Sequence, residues 1–461
     1  MQSFKEIQFG YASAETESSE TPMLLNQGFL DKFIAVPQIL DSNGALILGS
    51  KGTGKSAVGE KLRLLAKEKF DLFVHVRNLS TFPYKRFGSI IPGRDEPESN
   101  FPLAWDFLLL ISLYSSIAED RGIIDSANLE KILFVLKDHK LIVDDDLNKL
   151  ASVCMKKSFQ LKIPVPLIGG EFNLAANDRD NRNEIIDVAS FTKIMERVLT
   201  KIHTNSRHIL IIDGLDDVMI YNSNQNRVLS ALIQSATMLN RLFSHEGPPI
   251  SIVILCRTDI FQVISNPNKN KIKQDYGIVL DWYHDPQKPE KSGLMDLVNL
   301  RAKNSLGEIN DVFYDFFPDL LDGQPIRKWL LEHTRHTPRD FIQLLRYIQK
   351  NYDKGEDSKA LQRSSITAGA RQYSIDYFFP EIRDSLVGII PEEQIEFGID
   401  TLSSLRKRDF SYSEFEFHAR DVLGENKFEN LNVRLVLSNF FNVGAIGNKT
   451  ATRSNIMYTF K

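Results

Sequence analysis

Residues 49–56 read Gly-Ser-Lys-Gly-Thr-Gly-Lys-Ser, matching G-x-x-x-x-G-K-[ST] at every defined position, and they stand between an apolar run at 45–48 and a segment of helical spacing. No other feature limits so strongly what this chain can fold into. Glycines at these places let the backbone wrap closely round an anion with its N–H groups turned inward, and a helix starting directly after the loop adds its positive N-terminal dipole. The apolar run, closed by Gly44 and Gly49, predicts a buried parallel strand. Val58, Leu62 and Leu65 recur at i, i+4 and i+7 among Glu60, Lys61, Arg63 and Lys67, which predicts a helix with one face on a sheet. Lys55 is then expected to reach the β- and γ-phosphates of a nucleotide and the Ser56 hydroxyl to bind Mg²⁺. Gly49, Ser50, Lys51, Gly52, Thr53 and Gly54, with Ala57 behind them, are expected to line the nucleotide.

Such a site needs a carboxylate on the metal side, and Ile209-Leu210-Ile211-Ile212-Asp213 ends a second apolar run with one. Asp213 is the expected Mg²⁺-side residue. Asp216 and Asp217 follow, with no Glu directly after Asp213; either positions the attacking water or caps the next helix, and the shorter side chain predicts slow hydrolysis. A third strand-like run, 251–255, ends in Cys256-Arg257-Thr258-Asp259, so Arg257 is read as a γ-phosphate sensor or as a surface cation. In His336-Thr337-Pro338-Arg339-Asp340, Pro338 opens a helix and Arg339 either approaches the nucleotide or pairs with a neighbouring carboxylate.

The spacing elsewhere divides the chain. Residues 1–40 are expected to form an N-terminal arm, its amphipathic run broken by Pro37. Residues 41–285 are expected to form an α/β core with a parallel sheet: strands at 45–48, 72–76, 209–212 and 250–255 alternate with helices at 191–201 and near 228–243, and a helical insertion spans about 100–185. A wholly helical lid is expected over 286–360. The tail, 361–461, predicts helices at 392–405, 411–422 and 428–441 and a hairpin after 445, the order of a winged-helix-like domain. Cys154 and Cys256 read as small core residues.

With 56 Lys and Arg against 60 Asp and Glu, net −4, the chain carries no global footprint for nucleic acid or an anionic membrane. Its longest apolar-leaning stretch, 105–118, contains Asp106 and is too short to span a bilayer. The N-terminus has neither the basic nor the apolar region of a secretory signal, so a cytoplasmic location without membrane attachment is expected.

Taken in order, the phosphate-binding octapeptide, Ile211-Ile212-Asp213-Gly214-Leu215-Asp216-Asp217 and Arg257 resemble a P-loop ATPase of the STAND and AAA-like (ASCE) group. That resemblance implies ATP or ADP with Mg²⁺ as cofactors, Asp217 in place of the usual Glu, a helical lid and a winged helix after the core, and self-assembly or a partner protein completing the site. The Thr337-Pro338-Arg339-Asp340 segment is similar to the lid motif of origin-recognition-like ATPases, which implies a nucleotide-sensing role for Arg339. The opening Phe9-Gly10-Tyr11-Ala12-Ser13-Ala14-Glu15-Thr16-Glu17 resembles the F-G-x-x-x-A-E-x-E segment of bacterial defence-associated P-loop ATPases. The implied activity is a slowly hydrolysing ATP switch in anti-phage defence.

A Ras-like GTPase needs N-K-x-D, and both Asn148-Lys149-Leu150-Ala151 and Asn426-Lys427-Phe428-Glu429 fail its fourth position; no L-S-G-G-Q-like signature is present. A small-molecule kinase is disfavoured by the lid and winged-helix tail, and two further alternatives stay open: a DNA-associated ATPase or loader using the winged helix, and a scaffold that keeps nucleotide bound without turnover. Residues 391–461 carry nine Lys or Arg against ten Asp or Glu, which speaks against a strong phosphate-binding face. Arg406-Lys407-Arg408 and the loop lysines Lys269, Lys271 and Lys273 are local basic spots.

Overall fold

The computed structural model describes residues 3–41, 44–91, 100–124, 127–142, 146–155, 161–164, 183–215, 223–264, 268–285, 287–352, 361–405, 407, 409–451 and 456–459. A 3-10 turn at Phe4–Glu6 leads into three short helices, α1 (Ala14–Glu20), α2 (Pro22–Gln27) and α3 (Ala35–Asp41). Pro37 does not break α3. It falls in the first turn, where backbone N–H groups have no intrahelical partner, and Asp31 caps that turn by accepting from the Ala35 and Val36 amides at 2.8 and 2.6 Å.

The core follows as β1 (Ala45–Gly49), α4 (Lys55–Glu68), β2 (Leu72–Asn78), α5 (Phe101–Ile117), α6 (Ala127–Asp138), α7 (Leu147–Cys154), β3 (Leu161–Pro164), β4 (Asn183–Ile186), α8 (Val188–Thr200), β5 (Arg207–Asp213), α9 (Ser223–Glu246), β6 (Ile250–Arg257), α10 (Thr258–Val263), α11 (Lys269–Tyr276) and β7 (Gly277–Leu280). Five strands form one parallel sheet in the order β2-β5-β6-β1-β7. β1 is buried throughout because both faces are covered: Ala45 and Ile47 pack with α3 and α4, Leu46 and Leu48 with the opposite helical layer. The fold is therefore α/β, a P-loop parallel-sheet core of three layers.

The segment inserted between β2 and β5 is helical, yet its first helix is no outlying lobe. α5 is apolar on nearly every side and buried on nearly every side, with Trp105 Nε1 donating to the Val228 carbonyl at 2.8 Å and the Tyr114 hydroxyl to that of Met195 at 2.8 Å. Among the described residues, α6, α7 and the small antiparallel pair β3-β4 extend the layered core beyond α5. β7 was not foreseen, since four residues carry little periodicity, but it pairs with β1 and closes that edge.

The lid comprises α12 (Gly293–Leu306), α13 (Val312–Phe316), a two-residue hairpin β8 (Leu320–Leu321) and β9 (Gln324–Pro325), α14 (Ile326–Glu332), α15 (Pro338–Lys350) and α16 (Arg363–Tyr373). The hairpin corrects the wholly helical expectation, and its Asp322-Gly323 turn is a strong local signal for one. Lid packing continues past residue 360, because Leu361, Ile366, Ala370 and Tyr373 share a core with α15. A π-helical stretch (Ser374–Phe378) joins α16 to α17 (Phe379–Leu386) without a break, and Ile382 and Leu386 then lie in the core of the tail. That tail is winged-helix-like: α18 (Glu392–Ser404), α19 (Tyr412–Leu423), the short α20 (Glu425–Phe428), α21 (Val433–Asn442) and the antiparallel pair β10 (Asn448–Ala451) and β11 (Ile456–Thr459). Among the described residues, no helix is long and apolar enough to cross a membrane.

Candidate nucleotide site

Parallel strands present their C-terminal ends at one edge, and there the loop from β1 to α4 lies. Register sets Arg257 opposite Gly49 and Asp213 opposite Asn78, so the ends of β1, β6 and β5 bring three expected site residues to the same edge. The loop is firmly built. The Thr53 hydroxyl donates to the Ser50 carbonyl at 2.9 Å, Trp282 Nε1, just beyond β7, donates to the Thr53 carbonyl at 2.9 Å, and Lys55, buried at the start of α4, places Nζ 3.2 Å from the Gly49 carbonyl and 3.1 Å from that of Ser50. At Gly52 the backbone takes φ +88°, and a Cβ there would come within 3.0 Å of Thr337 Oγ1.

Asp213 is buried at the end of β5, with one carboxylate oxygen accepting from the Gly214 amide at 2.7 Å. Ser56 is half-buried in the first turn of α4. A hydroxyl and a carboxylate are hard oxygen donors of the kind Mg²⁺ takes together with phosphate oxygens and water, so these two residues fit that ion. Asp216 and Asp217 lie outside the described residues. The guanidinium of Arg257 is held by Asp259, two residues on, with Nε to Oδ1 at 3.0 Å and Nη2 to Oδ2 at 2.6 Å.

Above the loop opens a cleft whose space, open solvent at its mouth included, is about 600 Å³. Tyr11, Ala14 and Leu25 of the arm line one wall and Pro338, Arg339 and Ile342 of α15 the other, with Lys55 and Ser56 at the floor. Walls that mix apolar side chains with Glu17, Arg301 and Arg339, over a floor with Lys55 and the loop amides, suit a base above a phosphate chain. Arg339 is half-buried there, and its amide donates to the Gly52 carbonyl at 3.3 Å, so the lid touches the loop directly.

The carboxylate beside Arg339 pairs elsewhere. Asp340 is fully buried and binds Arg335 at 2.6 and 2.8 Å, and the Tyr377 hydroxyl donates to it at 3.0 Å. Burial pushes the Asp340 carboxyl up, but Arg335 and Tyr377 outweigh it and hold it below the usual carboxylate range. Lys51, on the loop itself, is ion-paired at 3.2 Å with Glu381 of α17.

The arm is also part of the site. Arg301 of α12 is buried against Glu17 at 2.7 Å and donates to the carbonyls of Phe9 and Gly28, while the Tyr11 amide donates to Glu17 at 2.8 Å. These contributions were legible only as the Phe9-to-Glu17 resemblance. The basic spots disperse: Lys269 caps the carbonyls of Gln262 and Ile264, Lys271 and Lys273 are exposed, Lys407 pairs with Glu414 at 2.9 Å, and Arg406 and Arg408 lie outside the described residues.

Residues 292–379, most of the lid together with the π-helical stretch and the first residue of α17, match the family model described as the FunZ-associated C-terminal helical domain. No curated protein matches the chain. Among solved structures the chain is similar to the ORC1 protein of Aeropyrum pernix in complex with DNA, at 14% identity over 96% of this chain and 90% of that one with a TM-score of 0.39. It is similar to Cdc6p of Pyrobaculum aerophilum at 14% identity over 98% and 92%, TM-score 0.36, and to the ORC2 protein of Aeropyrum pernix in its ADPNP-ADP complexes at 10% identity over 96% and 89%, TM-score 0.37.

Proposed function

We propose that this chain is a Mg²⁺-dependent ATP-binding switch that hydrolyses its nucleotide slowly. The observation that carries the reading is the cleft itself, which joins a complete phosphate-binding loop to the arm and the lid, with Arg339 of α15 bonded through its backbone to Gly52. Lys55 and the loop amides hold the β- and γ-phosphates, and Ser56 and Asp213 hold the Mg²⁺. Asp216 or Asp217 orients the attacking water, while Arg257 and Arg339 answer to the γ-phosphate. Bound nucleotide supplies the charge that draws arm, loop and lid together, and its hydrolysis relaxes them. Self-assembly or a partner protein and a setting in bacterial defence extend the reading from the family resemblance, and a cytoplasmic location is part of the same proposal.

The test is calorimetry with ATP on the wild type and on Lys55→Ala, alongside steady-state hydrolysis and solution mass with ATP and with ADP. Lys55→Ala is expected to lose binding; undiminished binding overturns the loop assignment. Asp216→Asn is expected to bind ATP without turnover, and a normal rate moves that role to Asp217.

The winged-helix-like tail favours a second reading, a DNA-associated ATPase. α21 presents Arg434, Leu435 and Ser438 to solvent, a single cation among them. Hydrolysis stimulated by single- or double-stranded DNA supports this reading; DNA-independent turnover with nucleotide-dependent assembly supports the switch. Tight nucleotide with neither turnover nor assembly supports a scaffold.

A further inference from the structure

Two lysines of the phosphate-binding loop have different surroundings. Lys55 is buried and turned onto the carbonyls of Gly49 and Ser50, whereas Lys51 is partly exposed and reaches out of the loop to Glu381 at 3.2 Å. The same Glu381 oxygen lies 3.8 Å from Nη2 of Arg335, so this carboxylate stands between one cation on the loop and one on the lid. We propose that Lys51 is the side chain by which the loop distinguishes ATP from ADP, and that Glu381 is its resident counter-ion, displaced when a γ-phosphate takes Lys51 over. The proposal rests on the nucleotide reading above.

The physical argument is one of competing anions. A γ-phosphate seated on this loop brings negative charge beside a carboxylate already paired to a loop lysine, and like charges at such range repel. Lys51 has the reach to exchange one anion for the other, because its ammonium sits on a flexible four-carbon stem. Arg335 gives Glu381 a second partner to fall back on.

The exchange has a route to the tail. Residues 363–386 form one continuous helical rod that carries Tyr377, bonded to Asp340 of the lid, and then Glu381, before Ile382 and Leu386 enter the tail core. Its middle is a π-helical stretch, a form that often marks functional sites. Freeing Glu381 from the loop therefore loosens the end of the rod that holds the winged-helix-like domain, while the lid end stays fastened through Asp340.

The experiment uses the full chain, with calorimetry for ATP and for ADP and hydrogen exchange over residues 379–404, on wild type, Glu381→Gln and Lys51→Gln. Glu381→Gln is expected to bind ATP about threefold to fivefold tighter, the worth of a partly exposed ion pair, with ADP affinity unmoved. Its exchange over 379–404 without nucleotide should rise to the level of ATP-loaded wild type. Lys51→Gln is expected to still bind nucleotide but to lose much of the preference for ATP. If both variants keep the wild-type ratio of ATP to ADP affinity and the wild-type exchange, the counter-ion role is overturned while the nucleotide reading stands. A wild type that binds neither nucleotide overturns the nucleotide reading, and this proposal with it.

Discussion

At Gly10 the backbone takes φ +102°, and a Cβ would lie 2.0 Å from Arg301 Nη1 and 2.1 Å from Glu17 Oε2. A methyl group there must push apart a buried ion pair as well as strain the backbone, so Gly10→Ala is expected to cost roughly 2–4 kcal/mol in urea unfolding. This gives physical content to the Phe9-to-Glu17 pattern: Phe9 fills the lid core, Gly10 leaves room, and Glu17 neutralises Arg301. His208 shows another residue whose surroundings decide its chemistry. Stacked on Phe73 at 4.8 Å and bonded to Ser116 at 2.9 Å, it is fully buried, and burial pushes its pKa down to about 4 although Asp120 pulls the other way. The unfolded chain binds this proton near pH 6.5 and the folded chain only near 4, so stability is present above pH 6.5 and falls as pH drops through that window. Between pH 7 and 5 the loss is about 2 kcal/mol from this group, read as a lowered urea midpoint that His208→Gln makes shallower.

At the scale of elements, a buried charge pair at the start of α15 also receives the rod at 363–386, whose Tyr377 donates to the same Asp340 carboxylate. Arg335 and Asp340 are nearly inaccessible, and removing one leaves the other buried and unpaired. Asp340→Asn is therefore expected to destabilise by about 3–5 kcal/mol, against about 1 kcal/mol for Tyr377→Phe, which removes one hydrogen bond. Denaturant unfolding measures both, and faster hydrogen exchange in α15 should accompany the first. The elements themselves were legible where they are long or strongly patterned, as in β1, α4, β5, β6, α9 and the tail helices. The strands missed were short, β7 with four residues and the β8-β9 hairpin with two per strand, while α5 was legible as a helix but looks insertional in sequence and packs as a core layer.

For the whole molecule, the arm is the piece on which most depends. Phe4, Ile7 and Phe9 sit in the lid core, and Gln349 of α15 donates to the carbonyls of Phe4 and Ile7 at 2.8 and 2.9 Å. Deleting residues 1–10 is expected to weaken ATP binding and make residues 292–352 sensitive to limited proteolysis, because Phe4, Ile7 and Phe9 leave the lid core and the cleft wall that starts at Tyr11 loses its anchor. By itself the sequence determined the loop, its flanking strand and helix, and Asp213 at a strand end. Those features depend on contiguous residues, on what glycine permits, on an apolar run covered on both faces, and on the period of a helix. Only the tertiary structure decided that Arg335 rather than Arg339 takes Asp340, that Arg257 is held by Asp259, that Glu17 meets Arg301 across most of the chain, and that Glu381 reaches Lys51. Charge pairing has reach but no sequence period, so among many carboxylates and cations the partners are chosen by which elements the fold lays side by side.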